Sequence, residues 1–198
     1  MKAALILAGG KARRFHGKRK AFLILDGKPL LQRVITLVEP CVDEIYLSGE
    51  GDLAQFGYPV VEDNLHGLGP LAGIHAGFSV ITSEYTFVTG CDMPFIHQEL
   101  IQYLFKRAEG YSCCLPKQND FIEPLCCVYK TEDVRSCFNT VIRRGMRRIW
   151  DLIQCLPRPN YVSFEEIKTV DPYLESFRNI NTLKDLHHAE KMLRERRP

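Results

Sequence analysis

The sequence predicts an α/β fold, a doubly wound and mostly parallel sheet enclosed between two layers of helix. Two observations lead there. Short apolar runs without alternation, "AALIL" (3–7) foremost, read as strands buried on both faces. Segments with helical apolar spacing separate these runs, which is the rhythm of a doubly wound sheet whose ligands sit outside the carboxyl ends of the strands.

Taken in order, "AALIL" ends at Gly9-Gly10 and forms the first strand. "KPLLQRVITLVEP" follows as an amphipathic helix: Pro29 suits its first turn, Leu30, Leu31, Val34, Leu37 and Val38 recur at helical spacing, and Pro40 stops it. "EIYLSG" (44–49), "YPVVED" (58–63) and "YTFVTGCDM" (85–93) read as further strands. Between the last two, "GPLAGIHAGFSVI" keeps helical spacing despite its glycines. This arrangement lines up Gly9-Gly10, the loop after Leu47, Asp63 and Asp92 along one edge of the sheet.

In the second half, "YSCCLP" and "EPLCCVY" read as a strand pair, with "KQNDFIE" between them as a loop placed to cover a substrate. "RRGMRRIWDLI" reads as a helix start carrying its basic residues at the N-terminal end. "NTLKDLHHAEKMLRERRP" closes the chain as a helix capped by Thr182, with Asp185 three residues on and Leu183, Leu186, Ala189 and Leu193 toward the core. With no repeat, low-complexity stretch or linker, residues 1–198 are expected to form one domain.

Composition narrows the function classes. Hydrophobic residues at 45% and charged residues at 25% fit a globular chain. A net charge of only +2 is too small for a general nucleic-acid coat, so attraction for anions must be local. No apolar run approaches the ~18 residues of a membrane span, and "AALILA" is too short for an export signal. The expected location is cytoplasmic, with neither nucleic acid nor membrane as partner.

The eight cysteines fall without any C-x-x-C spacing. Adjacent pairs at 113/114 and 126/127 would point to opposite faces of a strand, which suits buried small hydrophobes better than converging metal ligands. The six histidines are scattered and give no ligand pattern, and Trp150, Phe164 and Phe177 read as packing residues.

Two segments carry possible chemistry. Ala8-Gly9-Gly10 lets backbone N–H groups approach an anion, and Arg13, Arg14, Lys18, Arg19 and Lys20 follow with charge-assisted donors. The spacing is neither that of a P-loop nor of a dinucleotide fingerprint, so residues alone leave open a phosphate cradle or a solvated turn. Asp92, where a buried strand runs out before Pro94, is placed to hold Mg²⁺ against phosphate oxygens; a helix cap or turn aspartate is the alternative.

Together "LAGGKARR", Lys20, "DGKPLLQRV", "VVEDN", "GPLAGIHAG", "CDMPFI" and "NINT" resemble the molybdenum cofactor guanylyltransferases, nucleotidyltransferases of Rossmann-like, nucleotide-diphospho-sugar transferase-like fold. The resemblance spans residues 3–190 in the same order. It implies transfer of GMP from GTP to molybdopterin with release of pyrophosphate and Mg²⁺ as cofactor. It also implies that Leu7, Ala8, Gly9 and Gly10 line the nucleotide, that Arg14 and Lys20 contact its phosphates, and that Asp63 lies near the nucleoside. Gly69, Pro70 and Leu71 would shape the base or ribose pocket, Asp92 would bind magnesium, and Asn179 and Asn181 would face the pterin. Arg147 and Arg148, in "RRGMRRI", are placed to hold the pterin phosphate, or else form a solvated helix face.

Phe15, His16 and Arg19 make the glycine loop bulkier and more basic than the family's usual one. Ser48 and Glu50 stand where asparagine is frequent, and Glu50 either accepts from a guanine edge or is exposed. The alternatives are therefore a cytidylyltransferase of the same cofactor, another nucleotidyltransferase, or a nucleotide-binding regulatory module. Proteins that make or deliver the molybdenum cofactor are the expected macromolecular partners.

Overall fold

The computed structural model describes residues 1–9, 19–62, 65 and 68–196. The elements run β1 (Lys2–Leu7), β2 (Ile24–Leu25), β3 (Lys28–Pro29), α1 (Leu30–Val38), β4 (Glu44–Ser48), β5 (Val60–Val61), α2 (Pro70–Val80), β6 (Tyr85–Gly90) and α3 (Gln98–Ala108). They continue through β7 (Cys113–Gln118), β8 (Phe121–Ile122), β9 (Cys126–Lys130), α4 (Thr131–Arg143), α5 (Ile149–Cys155), β10 (Pro159–Ser163), α6 (Phe164–Ile167) and α7 (Leu183–Glu195).

The main sheet has the order β10-β7-β9-β6-β1-β4-β5, with β8 hooked onto β7. β1 pairs parallel with β4 and β6, β4 with β5, and β7 with β10; β9 runs antiparallel between β6 and β7. The six strands that run together therefore bring their carboxyl ends to one edge, and β9 alone crosses the sheet's interior in reverse.

Each face of the sheet has its own core. Ala4, Ile6, Leu47 and Phe87 meet α1, α3 and α6 on one side, while Ala3, Leu5 and Val88 meet α2, α4 and α5 on the other. The alternation reaches the cysteines: Cys114 and Cys126 enter the first core, Cys113 and Cys127 the second. Seven of the eight thiols are buried, and all eight are free. α7 packs outside the first layer, with Ala189 against Leu23, Leu25, Leu30, Phe95 and Ile180.

α2 lies close on the sheet because of its glycines. A Cβ at Gly77 would stand 2.5 Å from Leu5 Cδ1, so only glycine lets the helix seat there. Arg135 of α4 donates to the carbonyls of Phe78 (2.5 Å) and Ile81, capping the C-terminal end of α2 with a cation.

Several expectations shift. Leu183 is 39% exposed, because the first residue after the Thr182 cap faces out before the apolar stripe begins at Leu186. Trp150 is 42% exposed on α5 and Leu37 is half-buried, its place in the α1 core taken by Ile35. Arg143 ends α4, with Gly145 (φ 65°) in the following turn, so the basic segment joins two helices and the next begins at Ile149. The 117–123 loop contains a hairpin in which Phe121 and Ile122 pair with the end of β7. Phe164 and Phe177 stack at 4.7 Å, as packing residues.

Candidate active site

The carboxyl edge gathers three polar groups from distant parts of the chain. β6 ends at Gly90, and the turn that follows carries Asp92; a Cβ at Gly90 would collide with Asp92 Oδ1, so the missing side chain lets this carboxylate fold back over the strand end. Cys91 N–H donates to Leu7 O (3.0 Å) and Ala8 N–H to Ser48 O (2.8 Å), which carries the parallel register beyond the strands and fixes the three strand ends relative to one another.

Lys20 opens a short 3-10 turn (Lys20–Phe22) whose Ala21 is buried in the first core. Its ammonium donates to Asp92 Oδ2 at 2.7 Å and to Asn181 Oδ1 at 2.7 Å. The Lys20 and Asp92 side chains are both about a quarter exposed, partly shielded and open to a ligand. Asn181 is held in turn: its own N–H and that of Thr182 donate to Asp185 Oδ2, and Ile180 N–H donates to Asp92 O at 2.8 Å. The bonds to Asp185, first the one from Asn181, hold its carboxyl below the ordinary range.

Two oxygens of different residues thus converge on one positive charge. That donor set, hard oxygens with a carboxylate, also fits a divalent cation that completes its shell with phosphate and water. Among the described residues no cluster of three or more His, Cys, Asp or Glu side chains is placed to hold a metal, so phosphate oxygens would have to supply the remaining bonds.

Leu7 is half-buried, Ala8 buried and Gly9 exposed at the mouth of the edge. Gly69 (φ 53°, ψ −135°) caps α2 in a conformation open to glycine, with no side-chain cap on the helix N–H groups; Pro70 is exposed, and the Leu71 side chain belongs to the second core. Gly10, Arg14 and Asp63 lie outside the described residues. Asn179 is half-buried, with its Oδ1 buried and lacking a hydrogen-bond partner.

Arg147 and Arg148 are exposed and join neither Lys20 nor Asn181 in a hydrogen bond among the described residues. α4 follows reversed β9 and so climbs toward the carboxyl edge, where Met146 and Ile149 pack in the same core as Leu68 and Leu71. The arginines therefore flank that edge on the α2 side, across the sheet from α7. Glu50 is 81% exposed and pairs with Arg19 at 3.3 Å, and Asp52 pairs with the same guanidinium.

Glu123 is a carboxylate at the same edge that sequence reasoning took only as the end of the 117–123 loop. It sits just beyond β8, half-buried, and accepts the N–H of Leu125 at 3.0 Å. Burial raises its carboxyl above the ordinary range; the bond from Leu125 opposes the rise and the negative charge of Asp92 adds to it. The available signal was a single carboxylate inside the apolar run "FIEPLCCVY".

Residues 4–157 match the model of the MobA-like NTP transferase domain. The chain is 35% identical over 196 residues to a molybdenum cofactor guanylyltransferase of Desulfosudis oleivorans, covering 96% of this chain and 95% of that one. It is 33% identical to a probable molybdenum cofactor guanylyltransferase of Pyrococcus horikoshii, over 93% and 96% of the two chains. A crystal structure of molybdopterin-guanine dinucleotide biosynthesis protein A from Archaeoglobus fulgidus superposes with a TM-score of 0.83 at 30% identity, over 98% and 100% of the chains. At 14% identity, the 4-diphosphocytidyl-2C-methyl-D-erythritol synthase of Anaerococcus prevotii shares the fold, with a TM-score of 0.73 over 98% and 96%.

Proposed function

On the premise that this chain belongs to the MobA-like NTP transferase family and is a nucleotidyltransferase, we propose that it transfers GMP from GTP to molybdopterin and releases pyrophosphate. The observation that carries the reading is the Lys20 ammonium held between Asp92 and Asn181 at the carboxyl edge of the sheet.

The attacking group is a phosphate monoester already ionised at neutral pH, so no side chain has to remove a proton from it. What the reaction needs is alignment and neutralisation of charge at the α-phosphate. Lys20 supplies a fixed positive charge, Asn181 aims it, and Arg14 is assigned the neighbouring phosphates on the family resemblance. Asp92 would hold Mg²⁺, which would supply charge neutralisation at the phosphates. Leu7, Ala8, Gly9 and Gly10 would line the nucleotide with Asp63 beside the nucleoside, while Gly69, Pro70 and Leu71 set the start of α2, whose positive dipole end favours an anion. Asn179 and Asn181 would face the pterin, with Arg147 and Arg148 reaching its phosphate from the α2 side.

The pairing of Glu50 with Arg19 supports its reading as a surface residue over a reader of guanine. The sheet, continuous from β10 to β5, supports one nucleotidyltransferase domain over 1–198. Among the described residues no helix is long and apolar enough to cross a membrane, and the free buried thiols suit a reducing compartment, so we place the protein in the cytoplasm with the enzymes that build or deliver the cofactor.

The test is pyrophosphate release with molybdopterin, comparing GTP, CTP, ATP and UTP in Mg²⁺. Release is expected with GTP, and Asp92→Ala is expected to fold and lose nearly all turnover. Retention of more than about half the rate, under ~0.4 kcal/mol in the barrier, would remove Asp92 from the mechanism. Release with CTP alone would reassign the base.

A further inference from the structure

A second concave site lies beside α1, a cavity of about 300 Å³ that shares no lining residue with the Lys20, Asp92 and Asn181 cluster. Its apolar floor is formed by Leu37, Pro94, Phe95 and Ile96, and its walls carry Lys28, Arg33 and Arg196 with His97. Among the described residues, the only carboxylate in its lining is Glu175, which is already engaged by Arg196 and lies 3.6 Å from His97 Nε2. For a protein whose net charge is +2, three permanent cations around one cleft are a local concentration of positive charge.

Two of these cations, Lys28 and Arg33, are incompletely satisfied, while Arg196 is paired with Glu175. Lys28 forms no ion pair among the described residues. Arg33 spends one amino group on Leu25 O (3.4 Å) and on Asp26 (3.8 Å), while its Nε is buried without a hydrogen-bond partner. A desolvated donor with no acceptor is unfavourable, and turning the guanidinium toward an oxygen bound in the cleft would relieve it. Guanidinium forks match phosphate geometry, and the apolar floor asks for carbon. A cavity of this size is at the small end for ligand sites, room for a phosphate and one ring.

We propose that this cleft binds a small organic phosphate, its oxygens held by Arg33, Lys28 and Arg196 and its ring laid on the Phe95 side. The floor residue Pro94 follows Asp92 by two positions, so an occupied cleft abuts the turn that carries the catalytic carboxylate. The site is independent of the identity of the transferred nucleotide.

The experiment is calorimetric titration of the full chain with phenyl phosphate, with inorganic phosphate and benzyl alcohol as the two halves of the probe. Wild type, Arg33→Gln, Lys28→Gln and Lys20→Gln are compared, each checked by thermal melting. Expected are saturable binding of phenyl phosphate, weakening of tenfold or more by Arg33→Gln and by Lys28→Gln, and less than twofold change with Lys20→Gln. Inorganic phosphate should bind at least tenfold more weakly than the ester. Arg33 also bonds Leu25 O, so should Arg33→Gln fail to fold, the exposed Lys28→Gln decides the matter. The proposal is overturned by loss of binding in Lys20→Gln with the other variants unaffected, by equal binding of inorganic phosphate, or by no saturation up to about 10 mM.

Discussion

Lys20 reaches two oxygens at the same distance, 2.7 Å, from residues 72 and 161 positions along the chain. A group this placed contributes through its charge, which glutamine cannot replace. Lys20→Gln is therefore expected to leave the melting temperature nearly unchanged and to lower kcat by about 10²–10³, equivalent to ~3–4 kcal/mol of transition-state stabilisation. Single-turnover pyrophosphate release measures it, and a loss below tenfold would exclude Lys20 from the reacting phosphates. Lys20 and Asp92 are legible in sequence because each adjoins a strand end or glycine turn, where the fold class puts ligands. Glu123 is not, because it follows a hairpin (Lys117↔Ile122, Gln118↔Phe121) hidden in a stretch that reads as an open loop, and its partial burial comes from tertiary packing that no spacing encodes.

At the scale of the element, the start of α7 links local stability to the site. Asp185 caps the helix and holds the N–H of Asn181, so Asp185→Ala is expected to cost about 1 kcal/mol in denaturant unfolding and to lower turnover by loosening Asn181. Because the folded carboxyl is held below its ordinary range, its contribution is full above the unfolded pKa near 4 and fades as pH falls through the lower folded value. The wild-type and Asp185→Ala stabilities should therefore converge in acid; a gap that is constant down to pH 2 would contradict the role. In α2, Gly77→Ala drives a methyl into Leu5 and is expected to destabilise by about 1–3 kcal/mol, whereas an unchanged unfolding midpoint would mean the helix can lift off the sheet. The Thr182 and Asp185 cap was readable from two residues. β10 was not, since Pro157 and Pro159 disguise a strand that tolerates proline by lying at the sheet's edge.

For the molecule as a whole, the sheet separates two cores and shares its cysteines between them. Burial pushes the thiols of Cys91, Cys113 and Cys114 up to about 12, and those of Cys126 and Cys127 well above their ordinary value. In native protein at neutral pH an aromatic disulfide reagent should react readily with no more than the half-buried Cys155, and with all eight thiols after denaturation. Fast reaction of three or more in the native state would show that the cores open. The layered fold was legible because its strands are short continuous apolar runs. The split of the basic 143–149 segment between two helices was hidden, because nothing in "RRGMRR" says which way the chain turns at Gly145.

The clip formed by Lys20, Asp92 and Asn181 also bears on how the protein assembles. Its members meet only after the intervening chain has found its pairings, and closing such large loops comes late when local structure forms first. On dilution from denaturant, helical signal and compaction should return ahead of the ability to release pyrophosphate. Catalytic competence then serves as a clock for the last long-range closure, and a population can look folded while this final stitch is still open.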